Sequence, residues 1–221
     1  MDRTLRTLGE LASEGAAAVD LFLRHDLDFC CGGKRTLAEA CAARGLDPVR
    51  LLAELDAGRP VAQPGPDWTE RPLADLITHL VTRYHEPLRQ DLPGLVLAAR
   101  RVEEVHAGHP ACPRGLAALL TEIQTAINLH LVKEEQVLFP ALRGGARGTV
   151  VQMPVRVMFQ EHDDHGANLA RLTQLTGAFI PPPEACATWR GLYEGLARLR
   201  RELMEHIHLE NNVLFPRALA G

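Results

Sequence analysis

Two segments of the chain carry the same pattern of apolar, histidine and glutamate residues. In each segment the apolar residues recur every three or four positions, which places them on one face of a helix. On that same face a histidine follows, and a glutamate comes four residues later: His130 and Glu134 in one segment, His206 and Glu210 in the other. The aligned pairs are Leu116/Leu192, Leu120/Leu196, Ile123/Leu199, Ile127/Leu203, His130/His206, Glu134/Glu210 and Val137/Val213. The chain must therefore bury the same His and Glu combination twice in a helical core.

Helical periodicity runs through four long segments that are separated by clusters of glycine and proline. They cover residues 72–105, 114–143, 154–176 and 184–214. No alternation typical of β-strands is present. The first and third segments also align with each other, and this places His85 on His162. The pattern predicts an all-α fold, an antiparallel four-helix bundle built from a duplicated helical hairpin.

The region before the bundle has a different character. Residues 58–71 are rich in proline and glycine and cannot sustain a helix or a central strand. The residues ahead of them show short helical patterns, at 16–24, 36–43 and 48–55, in a piece too small to be strongly stable alone. We therefore expect a small helical N-terminal domain at 1–57, a linker at 58–71 and the bundle at 72–221.

The repeated His and Glu residues predict a metal site. A carboxylate buried without a partner costs much free energy, so each glutamate needs either its histidine or a cation. Four histidines and two glutamates exceed the four ligands of a structural zinc site, and two metal ions fit them better. Imidazole and carboxylate suit iron, although ligand type alone does not exclude manganese or zinc. The expected ligands are His85, His130, Glu134, His162, His206 and Glu210.

Several neighbouring residues receive lesser roles. His165 is expected to face inward near the site, as a support or a substitute ligand. His208 lies off the inward face and is expected at the surface. Glu161 is expected to be solvated, with proton transfer as the alternative. Pro140 and Pro216 each lack an amide hydrogen, and we expect them to end their helices.

Two adjacent cysteines form a second chemical feature. The chain has five cysteines, and this odd number together with the adjacent pair favours reduced thiols. The two glycines that follow, the basic Lys34 and Arg35, and a helix start at Thr36 predict exposed sulfur atoms with a lowered thiol pKa. Such thiolates could accept iron, nitric oxide or sulfur, or receive electrons; the alternative is a tight turn of small residues. The pair is Cys30 and Cys31.

Charge and hydropathy exclude two classes of partner. The formal net charge is −4 and no run of basic residues is present, so a nucleic acid is a poor partner. No apolar stretch approaches the roughly 20 residues that cross a bilayer, and the N-terminus has no apolar signal core. We expect a cytoplasmic protein without membrane contact.

The motifs together resemble the Repair of Iron Centres family, in which a small cysteine-containing domain precedes a hemerythrin-like four-helix bundle. The resemblance covers almost the whole chain, and its most specific parts are Asp28 to Lys34, Arg83 to His85, His130 to Pro140, Glu161 to Asp163, and His206 to Pro216. The resemblance implies two non-haem iron ions on the same six ligands. It also implies that Glu134 and Glu210 bridge the ions alongside an oxo or hydroxo group.

The function that the resemblance implies is repair of iron–sulfur clusters damaged by nitrosative or oxidative stress, by delivery of iron. Cys30 and Cys31 would pass iron or handle nitric oxide. The implied partners are damaged iron–sulfur proteins, nitric oxide and an electron donor, and a homodimer is left open. Two alternatives remain: an enzyme that reduces nitric oxide to nitrous oxide at the di-iron centre, and a sensor or store of nitric oxide or oxygen.

Overall fold

The computed structural model describes residues 2–58 and 67–220, and these residues form the predicted all-α fold. Within these two ranges there is no β-strand, and a single isolated bridge joins Thr7 to Thr36. No helix in the described part is both long enough and apolar enough to cross a membrane. Residues 59–66 of the predicted linker lie outside the described residues, so the proposed division into domains stays a prediction.

Short helices make up the N-terminal part. They are α1 (Leu8–Ala12), α2 (Ala16–Arg24), α3 (Leu37–Arg44) and α4 (Pro48–Ala57). Thr7 and Thr36 open α1 and α3 with capping boxes, in which each threonine side chain and a glutamate satisfy free backbone amides. The predicted segments correspond to α2, α3 and α4. Helix α1 was not predicted because five residues are too few to show periodicity.

Four antiparallel rods form the bundle. The first contains α5 (Leu73–Leu80) and α6 (Glu86–Val105), and the second contains α7 (Leu116–Lys133) and α8 (Phe139–Arg143). The third is α9 (Gln152–Leu175), and the fourth contains α10 (Ala187–Leu209) and α11 (Phe215–Ala220). Helix α6 packs against α7 and α10, and α9 contacts the same two helices, which closes the ring around the core. The four predicted segments match these rods.

Three of the rods pass through a π-helical turn, and each turn ends two residues before a proline. The turns are Val81–His85, Glu134–Leu138 and Glu210–Leu214, and the prolines are Pro87, Pro140 and Pro216. A proline ring clashes with the carbonyl four residues back in an α-helix. In each π turn the residue before the proline instead bonds the carbonyl five residues back, which widens the helix locally.

The rods continue beyond these prolines, so the prediction that Pro140 and Pro216 end their helices is wrong. Helices α8 and α11 follow directly after the π turns. Rod three has Asp164, which keeps its amide hydrogen, at the position that aligns with Pro87, and α9 remains a continuous α-helix there. At this aligned position the π turns occur in the rods that have a proline, whereas Pro93 lies within the α-helix α6.

The π turn after Glu134 also changes which residue faces the core. Val137, which was predicted to continue the inward row, is 59% exposed, whereas Leu138 is 1% exposed. The extra residue in the π turn moves the inward position one place along the chain. Val213 is buried as predicted, in a cluster that includes Trp68.

The N-terminal part packs directly against the bundle. One hydrophobic cluster contains Phe22 and Phe29 from the N-terminal part together with Leu203 and Ile207 from α10. A salt bridge of 2.6 Å between Arg200 and Asp26 spans the same interface. The segment that contains the adjacent cysteines follows α2 and is thereby held against the bundle.

Candidate metal centre

The six predicted ligands meet inside the bundle, and none of them is more than 2% exposed. They form two groups, and within each group the possible ligand atoms lie within 4.8 Å of one another. The groups are His85, Glu134, His206 and Glu210, and His130, Glu134, His162 and Glu210. Both glutamates belong to both groups. The arrangement is that of two neighbouring cation positions with shared carboxylates.

The histidines are arranged as two facing pairs. Nε2 of His85 lies 3.0 Å from Nε2 of His206, and Nε2 of His162 lies 3.2 Å from Nε2 of His130. Two imidazole nitrogens that converge in this way can bind one cation between them. Burial lowers the pKa of His85 to about 4, and burial also lowers the pKa of His130. Both rings are therefore neutral at physiological pH, which is the form that binds metal.

Each glutamate reaches both histidine pairs. Oε1 of Glu210 is 3.1 Å from Nε2 of His206, and its Oε2 is 3.2 Å from Nε2 of His162. Oε2 of Glu134 lies within 3.5 Å of a ring nitrogen in each pair. Even so, none of the four carboxylate oxygens accepts a hydrogen bond from a described residue.

The two carboxylates also repel each other. Burial and the nearby Glu210 raise the pKa of Glu134 well above its usual range. Burial is the largest single influence on Glu210 and acts against its ionisation, but the combined interactions with His206 and His162 outweigh it and lower the pKa of Glu210. Unsatisfied buried oxygens of this kind are costly in the absence of a cation. The residues present therefore fit a metal centre, and the set of imidazoles and carboxylates suits iron.

A second carboxylate orients His85. Its Nδ1 donates a hydrogen bond of 2.7 Å to Glu135, and Arg89 holds the same carboxylate oxygen at 2.9 Å. A hydrogen bond at Nδ1 fixes the proton there and leaves the Nε2 lone pair free for a metal. Glu135 was not identified from the sequence, although its position directly after Glu134 was a signal.

Glu161 plays the same part for His130. Nδ1 of His130 donates to Glu161 at 2.9 Å, and Lys133 pairs with the other carboxylate oxygen. The expectation that Glu161 is simply solvated is therefore wrong. Helix α9 brings it beside α7, a contact that local spacing in the sequence does not reveal.

An amide supports the third histidine. Nδ1 of His162 donates a hydrogen bond of 2.7 Å to Oδ1 of the buried Asn211. Asn211 was also not identified from the sequence, but it follows Glu210 and aligns with Glu135 in the internal repeat. Nδ1 of His206 has no hydrogen-bond partner among the described residues. The rings of Tyr84 and His206 stack with their centroids 5.7 Å apart.

His165 faces inward as predicted and is 3% exposed. Its ring centroid lies 5.0 Å from that of His130, and its Nε2 has no partner in the described part of the chain. It is not a member of either four-residue group. Its place is beside the candidate centre.

His208 was expected at the surface, but it is 3% exposed. Its ring lies edge-on to Phe29 at 5.7 Å, and its nitrogens contact Ser13 at 3.3 Å and Asn212 at 3.1 Å. The N-terminal part covers this outer face of α10. The prediction failed because it considered the bundle alone.

The adjacent cysteines are free thiols, as predicted, but Cys30 is buried. Its hydrogen bond with Cys31 and its burial raise the thiol pKa well above the usual range. The prediction of an exposed thiol with a lowered pKa is therefore wrong for Cys30. Lys34, which was expected to lower it, instead lies 5.4 Å above the ring of Phe159.

Cys31 is partly buried and touches the metal-binding half of the chain. Its Sγ donates to the backbone carbonyl of His162 at 3.3 Å. The carboxylate of Asp28 accepts hydrogen bonds from the amides of Cys30 and Cys31 at 3.1 and 3.0 Å. Asp28, Cys30 and Cys31 together form a third group of possible ligand atoms within 4.8 Å.

Comparison with known proteins gives two family matches. The hemerythrin family, described as the HHE cation binding domain, matches residues 76–218. ScdA_N, described as a domain of unknown function (DUF542), matches residues 4–58.

The relatives match along nearly the whole chain. A protein of Citrobacter koseri named iron-sulfur cluster repair protein YtfE is 48% identical over 216 residues, which is 97% of this chain and 96% of that protein. Proteins of the same name from Escherichia coli and Escherichia fergusonii are 47% identical with the same coverage.

Proposed function

We propose that this chain, which belongs to the hemerythrin HHE family and to the iron–sulfur cluster repair proteins, stores iron and supplies it to damaged clusters. The damage would come from nitrosative or oxidative stress. The names of the relatives support the repair role. The observation that carries the metal-binding part is that Glu134 and Glu210 are fully buried between two histidine pairs, and no described residue donates a hydrogen bond to any of their oxygens.

In this proposal His85 and His206 would hold one iron ion, and His130 and His162 would hold a second. Glu134 and Glu210 would serve both positions, and the family resemblance implies an oxo or hydroxo bridge. When bound, the pair supplies exchangeable non-haem iron that can also change oxidation state.

The protein side chains prepare the site for both binding and release. The hydrogen bonds of Glu135, Glu161 and Asn211 hold three imidazole rings with Nε2 directed inward. In the site without iron, the raised pKa of Glu134 favours the protonated form of its carboxyl group. Protonation removes one of two adjacent buried negative charges and so lowers the electrostatic cost of this site.

The cysteine loop, residues 25–36 between α2 and α3, provides a place for iron outside the bundle. Thiols and the carboxylate of Asp28 offer a mixed soft and hard ligand set, and Cys31 contacts the helix that carries His162. We assign iron handling to Cys30 and Cys31 on this basis. Residues 1–57 then act as the thiol domain, 58–71 as the linker and 72–221 as the iron-binding bundle.

The proposed setting is the cytoplasm, where free thiols persist. The partners are damaged iron–sulfur proteins, nitric oxide as an agent of the damage, and an electron donor that keeps the iron ferrous.

Transfer of labelled iron tests the proposal. The chain is loaded anaerobically with ⁵⁷Fe and mixed with a [4Fe–4S] hydro-lyase whose cluster has been damaged by nitric oxide. We expect ⁵⁷Fe to appear in the restored cluster, with a matching loss from the chain and recovery of hydro-lyase activity. The Glu134→Ala chain, offered the same total iron, is the control and should restore little.

The alternatives predict different products. Nitrous oxide formed over many turnovers with an electron donor, without iron transfer, would favour a nitric oxide reductase. Tight binding of nitric oxide with neither outcome would leave a sensor or store. Either result contradicts the iron-supply proposal.

A further inference from the structure

The side chain of Asn211 contacts a predicted iron ligand and the cysteine loop at the same time. Its Oδ1 accepts the hydrogen bond from Nδ1 of His162 at 2.7 Å, and its Nδ2 donates to the carbonyl of Cys30 at 3.4 Å. Asn211 is 4% exposed, so water does not compete freely for either contact. A carboxylate could make the first contact only, because it has no hydrogen to donate when ionised.

The internal repeat provides a comparison within the same molecule. The residue that aligns with Asn211 is Glu135, which orients His85 with a carboxylate. The guanidinium group of Arg89 forms a salt bridge with that carboxylate. The amide therefore replaces the carboxylate in the half of the bundle where the cysteine loop docks.

Two further contacts hold the loop to the same place. Nδ2 of Asn212 donates to the carbonyls of Phe29 and Cys30 at 3.2 and 3.3 Å. The loop packs so closely that a Cβ atom added to Gly33 would lie 2.5 Å from Oδ1 of Asn212. On the other side, Sγ of Cys31 donates a hydrogen bond to the backbone carbonyl of His162. The position of the loop is thus tied to the turn that carries Glu210 and to the turn that carries His162.

We propose that Asn211 is a positioning residue that couples iron occupancy of the bundle to the docking of Cys30 and Cys31. This inference rests on the proposed metal function. A cation on His162 fixes the imidazole ring, the ring fixes Asn211, and Asn211 holds the Cys30 carbonyl. Without the cation the ring keeps its hydrogen bond to Asn211 but turns more readily, so the amide loses this partner more often and the loop undocks more readily.

Coupling of this kind is reciprocal. If iron binding favours the docked loop by a given factor, then undocking of the loop must weaken iron binding by the same factor. Couplings between two sites are commonly about 5- to 150-fold. Chemical modification of the thiols reports on the loop, and iron titration reports on the bundle.

The test measures the alkylation rate of each cysteine in the full chain, with and without ferrous iron, under argon. N-ethylmaleimide is the probe, and peptide mass spectrometry separates the Cys30–Cys31 peptide from that of the exposed Cys186. We expect iron to slow modification of the Cys30–Cys31 peptide at least about fivefold, with no change at Cys186. The iron affinity of the previously alkylated chain should fall by the same factor.

Asn211→Asp is the diagnostic variant, because it keeps the acceptor for His162 and removes the donor to Cys30. With iron at saturating concentration, verified by metal content, the alkylation rates with and without iron should become equal. Asn168→Asp makes the same charge change on α9, where Asn168 accepts a hydrogen bond from Arg171, and should retain the wild-type difference. The uncharged Asn211→Leu is the second variant and should also give equal rates.

Equal rates with and without iron in the wild-type chain would overturn the coupling. An iron effect that persists in both Asn211 variants would also overturn it, since iron bound directly to the thiols would not depend on Asn211. Cluster repair by a wild-type chain with equal rates contradicts only the role of Asn211. Coupled rates in a chain that repairs no cluster contradict only the proposed function.

Discussion

The carboxylate oxygens of Glu134 and Glu210 that could bind a metal lie within 4.8 Å of each other, and each glutamate is the first residue of a π-helical turn. The two turns align in the internal repeat and end two residues before Pro140 and Pro216. Insertion of one residue in a helix redirects the side chains on either side of it, and π turns occur frequently at functional sites. The prolines therefore help to shape the carboxylate side of the candidate metal centre.

The altered helical register can be tested through stability. Leu138→Ala removes a side chain that is 1% exposed and should destabilise the iron-free protein by about 2–5 kcal/mol. Val137→Ala, at a site 59% exposed, should change the free energy of unfolding by less than about 0.5 kcal/mol. Urea unfolding of both variants measures the difference. A larger loss for Val137→Ala would indicate an uninterrupted α-helix.

The hydrogen bond from His130 to Glu161 should strengthen metal binding. Glu161→Ala leaves Nδ1 of His130 without its partner, and we expect the iron affinity to fall about 10- to 100-fold. Glu122→Ala is the control, because Glu122 is an exposed carboxylate that pairs only loosely with Arg171. Competition with a ferrous chelator gives both affinities. Equal affinities for the two variants would show that Glu161 does not support the site.

The raised pKa of Cys30 makes its reactivity pH-dependent. The thiolate is the reactive form, so a raised pKa leaves Cys30 protonated and slow at neutral pH. Its alkylation should accelerate only as the pH rises above the range of an ordinary thiol. Quenched alkylation over a pH series, with the exposed Cys186 as the internal reference, measures this. Faster reaction of Cys30 than Cys186 at neutral pH would contradict the observed burial.

The close packing of Gly33 against Asn212 can be probed with one methyl group. A Cβ atom at Gly33 would lie 2.5–2.6 Å from Asn212 and the Phe29 carbonyl, so Gly33→Ala should cost about 1–3 kcal/mol. A Cβ atom at Gly191 in α10 would meet no atom of the described residues within 4 Å, apart from the backbone of its own helix. Gly191→Ala should therefore stabilise the chain by about 0.5–1 kcal/mol. Thermal unfolding of the full chain compares them, and stabilisation by Gly33→Ala would show that the loop is not docked as described.

The sequence was sufficient to predict the bundle and the six convergent side chains, because helical periodicity fixes which residues share a face. The row from Leu116 through Ile127 places His130 and Glu134 in the core without any knowledge of neighbouring helices. The internal repeat then places His206 and Glu210 beside them.

Other features depend on contacts between distant segments, and the sequence did not reveal them. His208 is buried by the N-terminal part, and Cys30 is buried by the same docking. Glu161 on α9 contacts His130 on the neighbouring helix α7. The π turns depend on how three prolines are accommodated inside continuing rods, and the exposure of Val137 follows from one of those turns.

The bundle is proposed to hold a pair of iron ions on the two ligand groups that share Glu134 and Glu210. Iron quantitation combined with Mössbauer spectroscopy on the anaerobically loaded protein tests this proposal. We expect two iron ions per chain that form one magnetically coupled pair, and loss of that coupling in Glu134→Ala. A single uncoupled ion, or coupling that is unchanged in Glu134→Ala, would contradict the proposal.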